Sequence, residues 1–204
     1  MKVQQKKLEI LYQFILGKGF EISIEDIALG INVTKKTLYN RYSSRLLLEK
    51  QVVDYWRELF QTRFDEKCAF TNNFVEQLLI LIYEFELVLK QEPVFFKREI
   101  ENHTDPLKLD ESFFLKIVSQ IITQGKGNGE FFNDINTEKY ARFFLFNVTQ
   151  LFFKETFPHL LTTTVSENLF DIEFEYIHYL MIPILTKQGM KNYEEIDLNL
   201  LLTM

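Results

Sequence analysis

The chain has 204 residues, of which 47% are hydrophobic and 25% charged. That is the balance of a packed globular protein and excludes a disordered one. The net charge of −6 is a sum over two unlike parts: Met1–Glu58 carries ten Lys/Arg against seven Asp/Glu, and the remainder thirteen against twenty-two. A single cysteine, Cys68, excludes an internal disulfide framework and any multi-cysteine metal site.

The N-terminal stretch MKVQQKKLEILYQFI is basic and then amphipathic, without the uninterrupted apolar segment of a secretion signal, and no run of 18 apolar residues occurs. The expectation is a cytoplasmic protein without a membrane span. Leu8, Leu11, Tyr12, Ile15 and Leu16 recur at helical spacing, and Gly17-Lys18-Gly19 supplies a stop. Ser23 offers an N-cap, with Asp26 three residues on as a variant capping box, and Ile24, Ile27 and Ala28 face inward. Gly30 and Asn32 both tolerate left-handed backbone, as a tight turn requires. Val33 anchors the chain after the turn, Thr34 caps a third helix with Leu38 as its inward residue, and Ser43 or Ser44 caps a fourth, Arg45 to about Asp65.

The rest reads as helix throughout, near Asn73–Gln91, Pro93–Asn102, Asp110–Gln124, Thr137–Phe157 and Glu167–Lys187. The breaks fall at Glu92-Pro93, at Thr104-Asp105-Pro106, in Gly125–Gly129 and from Pro158 to Thr164. Pro183 should kink or end the last helix. The tail from Tyr193 to Met204 reads equally as a docked segment or a frayed end. Of 21 Phe only Phe14 and Phe20 precede the fourth helix, so the excess of phenylalanine belongs to the later part.

Chemistry concentrates between Ser23 and Arg45. Between Asn32 and Lys50 stand five basic residues and one acid, Glu49. With Leu38 turned inward, the third helix presents Lys35, Lys36, Thr37, Tyr39, Asn40 and Arg41 around its surface. Such a helix fits the major groove of double-stranded DNA, and its positive N-terminus suits a phosphate. Lys35 and Lys36 suit guanine acceptors or phosphates, Thr37 a thymine methyl, and Asn40 adenine. Tyr39, Tyr42 and Arg45 read as phosphate contacts, and Ser23 as a further one at the DNA backbone. The bland alternative is a helical hairpin with a solvated basic face.

The spacing Gly19-Phe20, Ser23-Ile24, Asp26-Ile27-Ala28, Val33-Thr34-Lys35, Thr37-Leu38-Tyr39, Tyr42 and Ser44-Arg45 resembles the head of the TetR family of transcriptional regulators, from about Lys7 to Val53. The resemblance implies a three-helix head whose recognition helix is Thr34–Asn40. It also implies a fourth helix leading to a ligand-binding body. Gly129-Glu130-Phe131 with Asp134-Ile135-Asn136 is similar to the loop before that family's last two long helices. The chain departs from the family pattern at Asn32 (usually Gly), at Lys36 (usually small) and at Leu46-Leu47-Leu48, where acids are usual.

In Thr137–Phe157, Tyr140, Phe143, Phe144, Val148, Leu151 and Phe152 form one stripe, and Leu145, Phe146 and Phe153 make other sides apolar too. In Glu167–Lys187, Phe170, Phe174, Ile177 and Met181 form a face. The family resemblance implies that two such helices per chain build a four-helix dimer interface, for which Phe144, Val148, Leu151, Phe152, Phe174, Ile177 and Met181 are the residues. Tyr83, Phe85, Phe95, Phe96, Phe113 and Phe114, joined by Phe143, are the natural lining of a pocket for a small apolar or aromatic effector. The same aromatic spacing is that of a plain core.

No phosphate-binding glycine loop or nucleophile elbow occurs, and His103, His159 and His178 are scattered. No enzyme, cofactor or metal is therefore expected. The fold expected is all-α, with a helix-turn-helix DNA-binding head over 1–45 and a helical effector-binding and dimerisation body over 46–204, joined by the connector helix 45–65. The function expected is a ligand-responsive, homodimeric transcriptional repressor released from a double-stranded DNA operator by its effector. The competing readings are a helical interaction module docking an acidic partner, and a constitutive DNA binder without effector.

Overall fold

The computed structural model describes residues 2–101, 113–153 and 177–197, with side chains over 6–99, 113–148 and 177–197. The elements are α1 (Lys2–Lys18), α2 (Ile24–Gly30), α3 (Lys35–Tyr42), α4 (Arg45–Cys68), α5 (Phe74–Gln91), α6 (Pro93–Glu101), α7 (Phe113–Gly127), α8 (Thr137–Phe153) and α9 (Lys187–Glu194). Residues 177–181 are also helical and run into a 3-10 turn, Ile182–Ile184. The all-α expectation holds for the described residues, whose single departure is one isolated antiparallel bridge, Phe131 with Leu185.

Local chemistry explains most boundaries. Gly19 ends α1 at φ 81°, its N–H on the carbonyl of Ile15 at 2.7 Å. Of the two serines before α4, Ser44 is the cap, accepting from the N–H of Leu47 at 3.2 Å, while Ser43 takes the left-handed backbone (φ 58°) that closes α3. Asn73 caps α5 through the N–H of Glu76, and Asn136 receives the N–H of Lys139 at the start of α8. As expected, Pro183 breaks the late helix. The sequence reading carried that helix on to Lys187. Instead Thr186 starts a separate helix there, accepting from the N–H of Gly189 at 3.1 Å.

α4 runs from the first three helices into the rest of the molecule. Leu48, Val52, Trp56 and Phe60, one turn apart, are completely covered, and Phe64 nearly so. The phenylalanines gather round this row. Phe114 meets Phe85 edge-on at 4.6 Å and Phe60 at 5.2 Å between ring centroids. Such pairs stabilise beyond the area they bury.

The fully buried Glu130 ties the far end together. One of its carboxylate oxygens accepts from the N–H groups of Phe74 and Val75, at 2.8 and 3.1 Å, at the first turn of α5. The other accepts from the side chain of Asn128 at 2.6 Å. Its main chain accepts from the N–H of Thr186 at 2.9 Å, and α9 approaches so closely that a Cβ on Gly189 would stand 2.1 Å from the Glu130 carbonyl oxygen. A carboxylate at a helix N-terminus is in its most favourable place. Glu130→Ala is therefore expected to lower stability by about 2–3 kcal/mol, read as a lower urea midpoint at unchanged slope. A shift near zero would mean that solvent replaces these bonds without loss.

Candidate nucleic-acid interface

α2 and α3 meet across the turn at 31–34. Asn32 takes the left-handed position, φ 55°. Gly30, the other candidate for that role, has a different reason to be glycine: a Cβ there would lie 2.0 Å from the ring of Phe14. The N–H of Val33 reaches the carbonyl of Ala28 at 2.8 Å and closes the turn. Thr34 then caps α3. Its hydroxyl accepts from the N–H of Thr37 at 3.1 Å and lies 2.8 Å from the Thr37 hydroxyl. Ser23 does the same for α2, accepting from the N–H of Asp26 and donating to its carboxylate at 2.7 Å.

α3 turns two residues inward, Leu38 and Tyr42. Ser23, Thr34, Lys35, Lys36, Thr37, Tyr39 and Asn40 are exposed, and Arg41 is half-buried. The exposed residues and Arg41 make a polar, basic surface that two acids of α2 enter, Glu25 at Lys35 and Asp26 at Ser23. Lys35 pairs with Glu25 of α2 and lies 5.9 Å from the centroid of the Tyr39 ring. The Lys35 bond draws the Glu25 carboxyl below its ordinary range and raises the lysine above its own. The pair is solvent-exposed and contributes little to stability, so a phosphate can compete for the ammonium.

Two residues expected at phosphates are placed otherwise. Tyr42 is enclosed in the core of the first helices, where burial raises its hydroxyl, and Arg41 lies 5.4 Å over its ring. Its aromatic body is packing, because the α3 face it occupies is the one Leu38 also turns inward. Arg45 donates to Glu49 at 2.7 Å and to the carbonyl of Phe20. Its guanidinium thus fastens the α1–α2 loop to α4 and is not a free phosphate ligand.

Beyond Arg45, the first three helices are gripped twice. Glu49 also receives Arg98 of α6, whose guanidinium lies 5.5 Å from the centroid of the Phe20 ring. Deeper, Tyr12 of α1 donates to Glu92 at 2.7 Å. The same carboxylate accepts from Trp56 at 2.7 Å and from both terminal nitrogens of Arg63 at 3.2 and 3.0 Å. Burial, followed by the bond to Glu92, raises the Tyr12 hydroxyl and keeps it a donor. The sequence reading had no signal for Glu92 beyond its place before Pro93.

Of the residues read as a pocket lining, Phe85, Phe96, Phe113 and Phe114 come together in one aromatic cluster, which Trp56 joins to Phe95, while Tyr83 and Phe143 stand outside it. Phe95 joins Tyr12, Phe20 and Trp56 at the junction with α1. Phe96 and Phe114 pack with Phe85. Tyr83 lies apart, under the ammonium of Lys67 at 4.5 Å. Phe143 is 52% exposed, beside Tyr140 of the same helix at 6.2 Å between ring centroids. The dimer reading needs a similar correction, because Phe144, Val148 and Met181 are completely covered within the chain and offer no surface to a partner. α8 is apolar on several sides, and the outward side is that of Phe143 and Phe146. Ile177 is half-buried. Leu151 and Phe152 belong to α8 with side chains outside the described set, and Phe174 lies outside the described residues.

The thiol of Cys68 is pushed up to about 12, mainly by burial, which leaves it a poor nucleophile at neutral pH. Among the described residues no three His, Cys, Asp or Glu converge as a metal site, and no helix is long and apolar enough to cross a membrane.

No protein-family description matches the sequence. No curated protein matches it either. Solved structures do. The transcriptional regulator FadR of Bacillus subtilis, in complex with stearoyl-CoA, superposes with a TM-score of 0.67 at 15% identity, over 89% of this chain and 99% of that one. A TetR-family regulator of Cytophaga hutchinsonii gives 0.64 at 19% identity, over 91% and 96%. A TetR regulator of Chloroflexus aurantiacus gives 0.63 at 16%, over 88% and 95%. The chain has the TetR-like all-α fold along nearly its whole length.

The cap on α3 generates a direct test. Thr34→Ala is expected to lower the urea midpoint by an amount equivalent to about 1 kcal/mol, and Thr34→Ser to restore it. Equal stability of all three would mean that α3 does not depend on this hydroxyl.

Proposed function

We propose that this chain, with its TetR-like fold, is a sequence-specific DNA-binding transcriptional regulator that acts as a homodimeric repressor. The observation that carries the reading is α3, a short helix capped at Thr34 and held from beneath by Leu38 and Tyr42. It leaves Lys35, Lys36, Thr37, Tyr39, Asn40 and Arg41 on or near one surface. The net charge of −6 does not oppose this, because screening confines the relevant charge to about 10 Å of the groove. In this reading Lys36, Thr37 and Asn40 meet base edges, while Lys35, Tyr39 and Arg41 meet phosphates. The division of labour is a head over 1–45 and a body over 46–204, with α4 shared between them.

The partner for dimerisation is a second copy docking on the outward side of α8. Phe143 and Phe146, one turn apart, are 52% and 64% exposed. Tyr140 ties the adjoining helical residues 177–181 to α8 through the carbonyl of Leu180 at 2.7 Å, and Tyr179 there is 71% exposed. Large apolar groups grouped in this way mark an interface. Dimerisation sets two recognition helices at a half-site spacing of about 34–36 Å.

The effector is a small apolar or aromatic molecule that enters the body by parting the rings of Phe85, Phe96 and Phe114. The stearoyl-CoA of the Bacillus subtilis regulator supports an apolar ligand class for this architecture. An effector that favours a different head spacing lowers DNA affinity by its differential binding free energy.

The deciding experiment is binding of the purified chain, across a salt series, to the DNA upstream of its own gene and to unrelated DNA. Specific binding is expected to exceed non-specific binding by about a thousandfold or more. Lys36→Ala should weaken specific binding, and Lys35→Ala, at a phosphate, should flatten the salt slope by about 0.9. Binding to every tested DNA that is unchanged in Lys36→Ala would falsify the assignment of α3. For assembly, Phe146→Glu should convert dimers to monomers in sedimentation velocity, since a charge cannot be buried unpaired in such a contact. A wild-type chain that sediments as a monomer at every concentration sinks the dimer.

A further inference from the structure

Two lysines open α3 side by side, and they are held differently. Lys36 is exposed and pairs with no acid among the described residues. Lys35 is exposed too, yet its ammonium is bonded to the carboxylate of Glu25 on α2, ten residues back in the chain. It stands 5.9 Å from the centroid of the Tyr39 ring. The side chains of Lys35 and Glu25 are 51% and 59% exposed, so packing does not impose the pair. Nor does the cap of α2 require Glu25, because Ser23 and Asp26 make it between them. Each partner draws the other further into its charged form. An acid on a surface otherwise suited to phosphates is a charge that DNA repels.

We propose that Glu25 is a specificity-determining residue of the DNA interface: it cancels the charge of Lys35 on DNA of the wrong sequence and releases it on the operator. The role rests on the DNA-binding function proposed above. Binding to unrelated DNA is carried by phosphates and grows with each phosphate charge that the protein neutralises. A lysine already neutralised by Glu25 adds nothing to it. On such DNA no base-edge contact seats α3, the nearest phosphate stays across solvent, and the direct carboxylate contact keeps the ammonium. On matched DNA, Lys36, Thr37 and Asn40 seat the helix in the groove and carry Lys35 to contact distance of a phosphate. A charge-assisted bond to that phosphate then replaces the exposed pair, which is weakly held. Lys35 thus adds affinity only where the bases already match. Discrimination then comes from a repulsive element as well as from attractive contacts. Asp26, the other acid of this turn, is engaged by the Ser23 hydroxyl at 2.7 Å and does not reach Lys35.

The test is a double-mutant cycle of Glu25→Gln and Lys35→Ala in the full-length chain. The probes are the duplex that the wild type selects from a randomised pool and a scrambled duplex of the same length and composition. Affinity for both is measured across a salt series. Glu25→Gln is expected to tighten binding to the scrambled duplex several-fold and to steepen its salt slope by about 0.9. The slope on the selected duplex is expected to stay as in the wild type. Sequence preference therefore falls several-fold, most at low salt. In the Lys35→Ala background, Glu25→Gln is expected to change neither slope. A preference and a scrambled-duplex slope that Glu25→Gln leaves unchanged overturn the role. So does an equal steepening on both duplexes, or one that persists without Lys35, since Glu25 is then only a further negative charge. A mere brace between α2 and α3 predicts the opposite sign, weaker binding to both duplexes with a lower urea midpoint, and that result overturns it too. All of these outcomes leave the DNA-binding function standing, because the wild type still selects a duplex. A pool from which the wild type selects nothing removes that function and the role of Glu25 with it.

Discussion

The relation of the first helices to the rest of the molecule passes through one side chain, that of Glu92. A carboxylate withdrawn from water is tolerated only where donors and positive charge replace the solvent. Glu92 has Tyr12, Trp56 and Arg63 for that purpose, drawn from two helices. Its backbone is as constrained as its side chain. Its N–H closes α5 on Val88 at 2.7 Å, and its carbonyl receives the N–H of Phe95 at 3.0 Å in the first turn of α6. Pro93 fits the first position of α6, where no N–H is needed, and bars α5 from running on through it. The directions of α1, α4, α5 and α6 are therefore set against one another at a single residue.

The surroundings of that residue make its bonds count for more. Phe95 stacks on Trp56 at 5.9 Å and meets Tyr12 at 5.0 Å and Phe20 at 5.3 Å. These rings exclude water, and hydrogen bonds and ion pairs strengthen where water is excluded. The phenylalanine excess is thus more than core filling. It provides a dry sheath in which a few polar contacts fix the geometry.

The head was largely legible in the sequence because its determinants are local. Ser23 and Thr34 bond within three residues of themselves, and Asn32 needs only its own tolerance of positive φ. Where two local choices were equivalent, as at Ser43 and Ser44, sequence alone did not separate them. The Glu92 and Glu130 clusters were not legible. Their partners lie up to 80 residues away for Tyr12, and 56 for Phe74, and no periodicity encodes such pairings. The outward face of α8 failed for another reason. Phe143, Phe144 and Phe146 are chemically alike, so a helix apolar all round gives no clue to which phenylalanine is enclosed. The separate helix α9 hides behind Pro183, whose break was expected but whose consequence, a fresh cap at Thr186, was not.

In the proposed role, recognition and orientation are carried by different residues. α3 is eight residues long, too short to be stable alone, and borrows its shape from Thr34, Leu38 and Tyr42. None of these three is asked to read a base. Of the residues that could read one, Lys36 and Asn40 are exposed and take no part in the cap, whereas the Thr37 hydroxyl lies 2.8 Å from that of Thr34. Orientation belongs to a third set. Arg45 and Arg98 meet on Glu49, one bonded to the Phe20 carbonyl and the other lying over its ring, while Tyr12 reaches Glu92. Both grips involve α6 or the residue before it, and neither uses a residue of α3. A displacement of α6 would therefore reach the recognition helix as a change of angle, with its own contacts intact. In the proposed role, the same reading surface is thus presented at a different spacing, so affinity can be regulated without altering what is read.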